Sequence, residues 1–140
     1  MFLALNASVE LYKGGVVPLA EYAQRPYDRD ILVRVLVPKE NARVVYQSVR
    51  NSQTDFPVLT CAAAKLADGS IRAAIGARPG KAVLYTAAPE AGETAEEFAA
   101  RFAAEVKAGI KTESNLRGGA EYRRHLAGVL TKRAVGRLEG

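Results

Sequence analysis

The order in which two kinds of segment follow each other along the chain is the feature that most constrains its fold. Up to residue 86, short apolar segments rich in β-branched residues alternate with Gly, Pro and Asn turns. From residue 94 onward, apolar residues instead recur at helical spacing. Strands followed by helices are typical of an antiparallel sheet covered by helices. We therefore predict an α+β fold in which two C-terminal helices pack on one face of an antiparallel sheet.

The strongest strand signal is the run at residues 31–37, which stops at Pro38. All of its residues except Arg34 are β-branched or leucine, so both faces of the strand are apolar. Such a strand is typical of the interior of a sheet, and we predict a central position for it. The weaker signals before it are a strand at 7–11, a Gly14-Gly15 turn, a strand at 16–18 and a short helical turn at 19–24.

The middle of the chain predicts a hairpin around Asp68-Gly69, which separates apolar runs at 58–67 and 70–77. This dipeptide favours a two-residue turn in which both residues take positive φ. The alanines of the first run could form a helix by propensity, but Pro57 and the Asp-Gly turn bracket them and favour a strand. The other elements predicted here are a strand at 44–49, a polar loop at 50–55 and a strand at 82–86.

The last third carries the helix signals. Thr94 and Glu97 have the spacing of a capping box, and the apolar residues after them predict a helix down to Gly109. A second helix is predicted at about 120–135, with Gly118-Gly119 as its N-terminal cap. Its apolar stripe consists of Tyr122, Leu126, Val129 and Leu130.

The composition does not favour a metal centre, a membrane protein or a catalytic Cys–His pair. The longest apolar run, at 58–64, is far shorter than the roughly 20 residues of a membrane helix. With one cysteine and one histidine, we predict no metal site and no catalytic residue. Cys61, in an alanine run, is interpreted as a small buried hydrophobe and His125 as a helix-surface residue. A single cysteine also suits a reducing, cytoplasmic compartment.

The net charge of +5 raises the question of nucleic acid, since six basic residues fall within the last twenty-four positions. Such a cluster could contact phosphates. No aromatic residues are interleaved to stack bases, so the sequence favours a solvated helix face over a nucleic-acid partner. The loop at 76–81 lacks the spacing of a phosphate loop and is interpreted as a turn.

Three stretches resemble one known family. Residues 114–130 read Ser-Asn-Leu-Arg-Gly-Gly-Ala-Glu-Tyr-Arg-Arg-His-Leu-Ala-Gly-Val-Leu, and residues 55–62 read Asp-Phe-Pro-Val-Leu-Thr-Cys-Ala. Residues 30–38 read Asp-Ile-Leu-Val-Arg-Val-Leu-Val-Pro. The first stretch resembles the closing signature of carbon monoxide dehydrogenase flavoproteins and xanthine dehydrogenase flavin subunits, and the other two resemble strands of that family in the same order. The sequence departs from the family at Asn115 and Gly119, where aspartate and serine are expected.

The resemblance implies a role within a molybdenum hydroxylase. Residues 39–140 would form the family's C-terminal α+β domain, and residues 1–38 would be remnant strands from the end of the flavin-binding domain. Because the family's flavin pyrophosphate segments lie further upstream, we expect a partial subunit that is inactive alone and binds FAD only with a companion flavin-binding chain. Iron–sulfur and molybdopterin subunits are the other expected partners, with electrons passing through flavin to an acceptor such as NAD. The alternative is a non-catalytic interaction module that kept the fold and lost flavin binding.

The resemblance also assigns three candidate cofactor-binding residues. Leu32 matches a strand leucine that contacts flavin in xanthine dehydrogenases, and Tyr46 falls where those proteins have a flavin-contacting lysine. Asp55 ends a loop that borders the flavin ring. Local chemistry offers other interpretations, since Leu32 could be a core residue and Asp55 a turn cap. Arg117 and Tyr122 are expected to tie the last helix to the sheet.

Overall fold

The computed structural model describes residues 1–27, 29–39 and 42–139, and it confirms the order of strands followed by helices. Two antiparallel sheets are present, and α2 and α3 pack together on one face of the second. The α+β prediction with two C-terminal helices on one face is therefore confirmed. The elements are β1 (Ser8–Leu11), β2 (Gly15–Pro18), α1 (Leu19–Tyr22), β3 (Leu32–Leu36), β4 (Arg43–Val49), β5 (Leu59–Lys65), β6 (Ile71–Gly76), β7 (Val83–Ala87), α2 (Ala95–Gly109) and α3 (Ala120–Glu139).

The two sheets divide the strands by sequence. The N-terminal sheet has the order β2-β1-β3, and the C-terminal sheet has the order β4-β5-β6-β7. In the C-terminal sheet each strand pairs with the next one along the chain, which short antiparallel connections allow.

The main core lies between the C-terminal sheet and the two helices. Cys61 and Ala63 of β5 point toward the helices, where Phe98 and Phe102 of α2 stack with ring centroids 5.9 Å apart. Both phenylalanines are at most 1% exposed, and full burial of such a side chain contributes roughly 1.5–3 kcal/mol. The capping box at Thr94 fixes the start of α2, since the Glu97 amide donates to the Thr94 hydroxyl and the Glu97 carboxylate accepts from the Thr94 amide.

The opposite face of the C-terminal sheet is built from small side chains. Ala62, Ala64 and Ala74 are buried there and form one cluster with Ala4 from the N-terminal turn. Leu3 of the same turn packs against this cluster. The N-terminal segment therefore covers part of the face that the helices leave open.

The predicted central position of the 31–37 strand is wrong. β3 is an edge strand that pairs with β1, and all five of its residues are exposed. Leu32 is 46% exposed and Val33 is 52% exposed. The apolar pattern correctly predicted a strand, but a pattern reports the character of both faces and not whether another layer covers them.

The Asp68-Gly69 hairpin is confirmed, although the predicted two-residue turn is wrong. The amide of Leu66 donates to the carbonyl of Ser70, and the amide of Gly69 donates to the carbonyl of Leu66. Three residues therefore form the loop, and only Gly69 has positive φ, at 83°. This is the longer hairpin loop in which a turn is followed by one left-handed glycine. The Asp68 carboxylate accepts from the amide and the hydroxyl of Ser70, which stabilises the loop.

The last helix is longer than predicted and is capped differently. α3 runs to Glu139 rather than to residue 135. The amide of Ala120 donates to the hydroxyl of Ser114, so a side chain six residues upstream assists the glycines at the start of the helix. None of the helices within the described residues combines the length and the hydrophobicity of a membrane-spanning segment.

Candidate functional site

The three candidate cofactor-binding residues lie on two different parts of the fold. Leu32 belongs to the exposed edge strand β3, whereas Tyr46 belongs to β4 at the edge of the other sheet. Asp55 lies in the loop that follows β4. No hydrogen bond or ion pair joins any two of the three within the described residues, so their convergence on one ligand stays a prediction.

Tyr46 lies on the face of the C-terminal sheet that points away from the helices. It is paired with Ala62, which is in turn paired with Ala74, and directly paired residues share a face. Tyr46 is 44% exposed, and β4 has no further strand beside it among the described residues. Tyr46 therefore offers an accessible aromatic surface at the sheet edge.

Asp55 is held in place by one amide and one arginine. Its Oδ1 accepts from the backbone amide of Phe56 at 2.6 Å and from Nε of Arg117 at 3.0 Å. The Phe56 amide and the Arg117 guanidinium together lower the pKa of Asp55. Asp55 is therefore a fixed negative charge at neutral pH, and its hydrogen bond to the following residue also agrees with the turn-cap interpretation.

The loop at 50–55 is fastened to the loop at 114–119 by a second contact. The side-chain amide of Asn51 donates to the carbonyl of Arg117 at 3.0 Å. Arg117 thus contacts the loop through its backbone and its side chain, and its guanidinium lies 5.2 Å from the centre of the Phe56 ring. The prediction that Arg117 ties the last helix to the sheet needs refinement, since its contacts go to the loop between β4 and β5.

Among the described residues, Arg123 is a buried charged residue that the sequence analysis did not identify. It is 1% exposed, and its guanidinium donates to the carbonyls of Val58, Glu113 and Gly118 and to Oδ1 of Asn115. These contacts join the start of β5 to the segment before α3. Arg123, rather than Tyr122, therefore ties the last helix to the sheet, while Tyr122 stays 49% exposed.

All four acceptors of Arg123 are neutral, so its charge is balanced by dipoles rather than by a contacting carboxylate. Burial lowers the pKa of Arg123, and the nearby charge of Arg117 lowers it further. The signal in the sequence was positional. Arg123 lies three residues before Leu126 and seven before Leu130, which places it on the buried stripe of α3.

Four arginines surround one end of the C-terminal sheet. We call this group the arginine corner, and its members are Arg50, Arg78, Arg117 and Arg123. Arg50 donates to the Asp55 carbonyl, and Arg78 donates to the carbonyls of Lys81 and Lys111. Among the described residues, Asp55 is the one carboxylate that forms an ion pair with a member of the group. The corner is therefore electropositive.

The arginine corner contains a cavity of about 330 Å³ lined by Phe56, Pro57, Ala77, Pro79, Gly80, Asn115, Arg117 and Arg123.

A second cavity, of about 410 Å³, lies between α1 and the chain entering β7. Its walls are mainly apolar and include Tyr22 and Tyr27. At its rim the ammonium group of Lys81 donates to the carbonyl of Arg25 at 2.6 Å, which links the two halves of the chain.

Cys61 and His125 do not form a catalytic pair. Cys61 is fully buried, and burial raises the pKa of its thiol to about 11, so it stays protonated at neutral pH. The nearest polar contact of its Sγ is the hydroxyl of Thr131 at 4.0 Å. His125 lies on the exposed face of α3, as the sequence predicted. No cluster of potential metal ligands occurs within the described ranges.

Comparison with known proteins adds a family to this geometry. The family model described as the CO dehydrogenase flavoprotein C-terminal domain matches residues 44–138. That range includes the C-terminal sheet from Val44 on and nearly all of both long helices. None of the curated proteins matches the sequence.

Solved structures show the same fold over nearly the whole chain. Quinoline 2-oxidoreductase from Pseudomonas putida 86 is similar with a TM-score of 0.76 and 20% identity, over 99% of this chain. Carbon monoxide dehydrogenase from Hydrogenophaga pseudoflava has a TM-score of 0.75 and 23% identity over 98% of this chain. The reconstituted CO dehydrogenase from Oligotropha carboxidovorans has a TM-score of 0.74 and 21% identity over 99% of this chain. The chain spans 54% of the length of each of these three chains.

Proposed function

Because the chain belongs to the family of CO dehydrogenase flavoprotein C-terminal domains, we propose that it forms part of the flavin subunit of a molybdenum hydroxylase. In this role it supports electron transfer from iron–sulfur clusters through FAD to an acceptor such as NAD. The match over residues 44–138 is the observation that carries the proposal. The proposal also includes xanthine dehydrogenase-like chemistry and a cytoplasmic location.

The proposal divides the chain at residue 39. Residues 1–38 belong with a flavin-binding domain, and residues 39–140 are the C-terminal domain. Two observations support the division: the two sheets fall on either side of it, and the family match begins at residue 44. The exposed apolar side chains of β3 support a companion flavin-binding chain, because an exposed and largely apolar edge strand favours pairing with another strand.

The candidate residues fit an isoalloxazine ring in chemical type. Leu32 and Tyr46 provide an apolar and an aromatic surface, and the Asp55 carboxylate provides a fixed negative charge near the ring's border. Leu32 and Tyr46 are each nearly half exposed, so flavin at this position needs further walls from a companion chain. When bound, flavin supplies the step from single-electron to two-electron transfer. The protein's part is to hold the ring and limit its contact with water.

A first test measures FAD binding with and without partners. We expect the isolated chain to leave the fluorescence of added FAD almost unchanged, and we expect a pull-down from native extract to recover iron–sulfur and molybdopterin subunits together with FAD. Tight stoichiometric binding of FAD by the isolated chain would contradict the role given to the companion chain.

A second test uses two tyrosines of similar exposure. Tyr46 is 44% exposed and Tyr122 is 49% exposed. Tyr46→Ala is expected to lower the FAD content of the assembled complex, whereas Tyr122→Ala is expected to leave it unchanged. Equal FAD content in both variants would remove Tyr46 from the site.

A non-catalytic interaction module is the second candidate function. It is favoured by Tyr46, which stands where xanthine dehydrogenases have a flavin-contacting lysine. In that case the pull-down recovers partner proteins without molybdenum, iron–sulfur clusters or FAD.

A further inference from the structure

The arginine corner contains more positive charge than its own contacts neutralise. Arg117 forms an ion pair with Asp55, but the four hydrogen bonds of Arg123 all end on uncharged oxygen atoms. The described residues that line the cavity include Arg117 and Arg123 and no carboxylate. The cavity wall is therefore positively charged.

The cavity also presents unused hydrogen-bond donors. Arg117 uses Nε for Asp55, and among the described residues its two terminal nitrogens have no hydrogen bond. Asn115 uses its Oδ1 to accept from Arg123 and from the Arg117 amide, which leaves its side-chain NH₂ available. A guanidinium fork beside an amide group matches the oxygen atoms of a phosphate.

The walls and volume suit a small ligand. Pro57, Pro79 and Phe56 supply apolar surface around the two arginines, and Phe56 is 73% exposed. About 330 Å³ lies at the lower end of the roughly 300–1,000 Å³ typical of small-molecule sites.

We propose that the cavity of the arginine corner binds a phosphate group, with Arg117 and Asn115 as donors and the buried charge of Arg123 as electrostatic support. The proposal does not depend on the flavin role, because its donors and its supporting charge (Arg117, Asn115 and Arg123) were not assigned to flavin. Asp55 has a defined part in it: by pairing with Arg117, it competes with an anionic ligand for the same guanidinium.

The test is a calorimetric titration of the full chain with inorganic pyrophosphate at low ionic strength. We expect saturable 1:1 binding, which Arg117→Ala weakens about tenfold or more, the size expected for loss of charge-assisted hydrogen bonds. Arg133→Ala removes the same charge from an exposed position on α3 and is expected to change the affinity less than twofold. Asp55→Asn removes the competing negative charge and is expected to tighten binding several-fold.

The variants separate a built site from general charge attraction. Equal weakening by Arg117→Ala and Arg133→Ala, or no saturable binding, overturns the proposal. Unfolding of the Arg117 variant does not remove the test, because the Asp55 variant predicts a change in the opposite direction, and weaker binding there also overturns the proposal.

The source of the phosphate is distinguished by a parallel titration with ADP. A nucleotide ligand predicts tighter binding of ADP than of pyrophosphate and loss of that advantage in Phe56→Ala, since the exposed ring is the surface on which a base can stack. Equal affinities for ADP and pyrophosphate identify a site for the phosphate group alone.

Discussion

In the C-terminal sheet, the apolar residues of β5 from Leu59 to Ala64 are at most 1% exposed, whereas in the N-terminal sheet every residue of β3 is exposed. The two strands have similar apolar character. However, the two long helices cover one face of β5, and the N-terminal turn packs on its other face. β3 has a neighbouring strand on one side only in the described structure. The difference shows that the covering layers, and not strand composition, determine which strand of this chain is buried. The core of the N-terminal sheet is a small cluster around Val9, Leu11 and Val17.

The largest expected effect separates these two cores directly. Phe102→Ala should destabilise the protein by about 3–5 kcal/mol, because it leaves a cavity between α2 and the sheet. Val9→Ala should cost only about 1–2 kcal/mol, since fewer methyl groups are lost from a smaller cluster. Urea unfolding followed by circular dichroism measures both, with Leu116→Ala at a fully exposed position as the control. Equal losses at positions 102 and 9 would show that the N-terminal sheet contributes as much as the main core.

The next effect tests the polar anchor of the C-terminal sheet. Arg123→Lys should cost about 2–3 kcal/mol, because one ammonium group cannot reach four oxygen atoms placed for a guanidinium fork. The adjacent and exposed Arg124→Lys should lie within about 0.5 kcal/mol of the parent. If the two variants have equal free energies of unfolding, the carbonyl contacts of Arg123 do not contribute to stability.

A smaller, pH-dependent effect compares one ion pair from each region. Hydrogen bonds from Arg101 lower the pKa of Glu93 to about 2, and the hydrogen bond from Arg34 lowers the pKa of Glu10. A carboxyl group with a lowered pKa adds stability above its ordinary pKa of about 4.5, and this contribution is lost as pH falls toward the lowered value. Glu93→Gln should therefore reduce the loss of stability between about pH 4.5 and 2. Glu10→Gln should reduce it less, and thermal unfolding over that pH range measures the difference. A larger change in Glu10→Gln would reverse the comparison.

The smallest stability effect concerns the exposed edge. Val33→Lys should change the free energy of unfolding by about 0.5 kcal/mol or less, because Val33 is 52% exposed. It should nevertheless reduce concentration-dependent self-association in light scattering, since a lysine disfavours pairing between edge strands. Lys13→Arg, which retains an exposed charge, serves as the control. Unchanged association in Val33→Lys would mean that β3 is not the surface involved.

Local signals in the sequence predicted most of the fold. The capping box at Thr94, the hairpin at Asp68-Gly69 and the helical spacing of the phenylalanines each involve residues close in the chain, so their physics can be read without tertiary contacts. The edge position of β3 and the number of sheets could not be predicted in this way, because both depend on which distant segments cover a strand.

The site was less predictable for the same reason. Asp55 was identified by resemblance, but its partner Arg117 lies 62 residues away in the sequence. The burial of Arg123 violates the usual exposure of arginine and is possible only because carbonyls from separate segments meet it. An arginine on an apolar helical stripe is the signal that could have revealed it. Whether Leu32, Tyr46 and Asp55 contact a flavin stays a prediction.

The ring of carbonyls around Arg123 has a consequence for how the chain assembles. One acceptor, Val58, lies 65 residues before Arg123, at the entry to β5. A shift of β5 by a single position would rotate that carbonyl to the other side of the strand and leave the guanidinium without one of its four acceptors. The alanines of β5 are so alike in shape that their packing alone discriminates weakly between neighbouring alignments. Arg123 therefore has all four of its acceptors only in the native alignment of the strand.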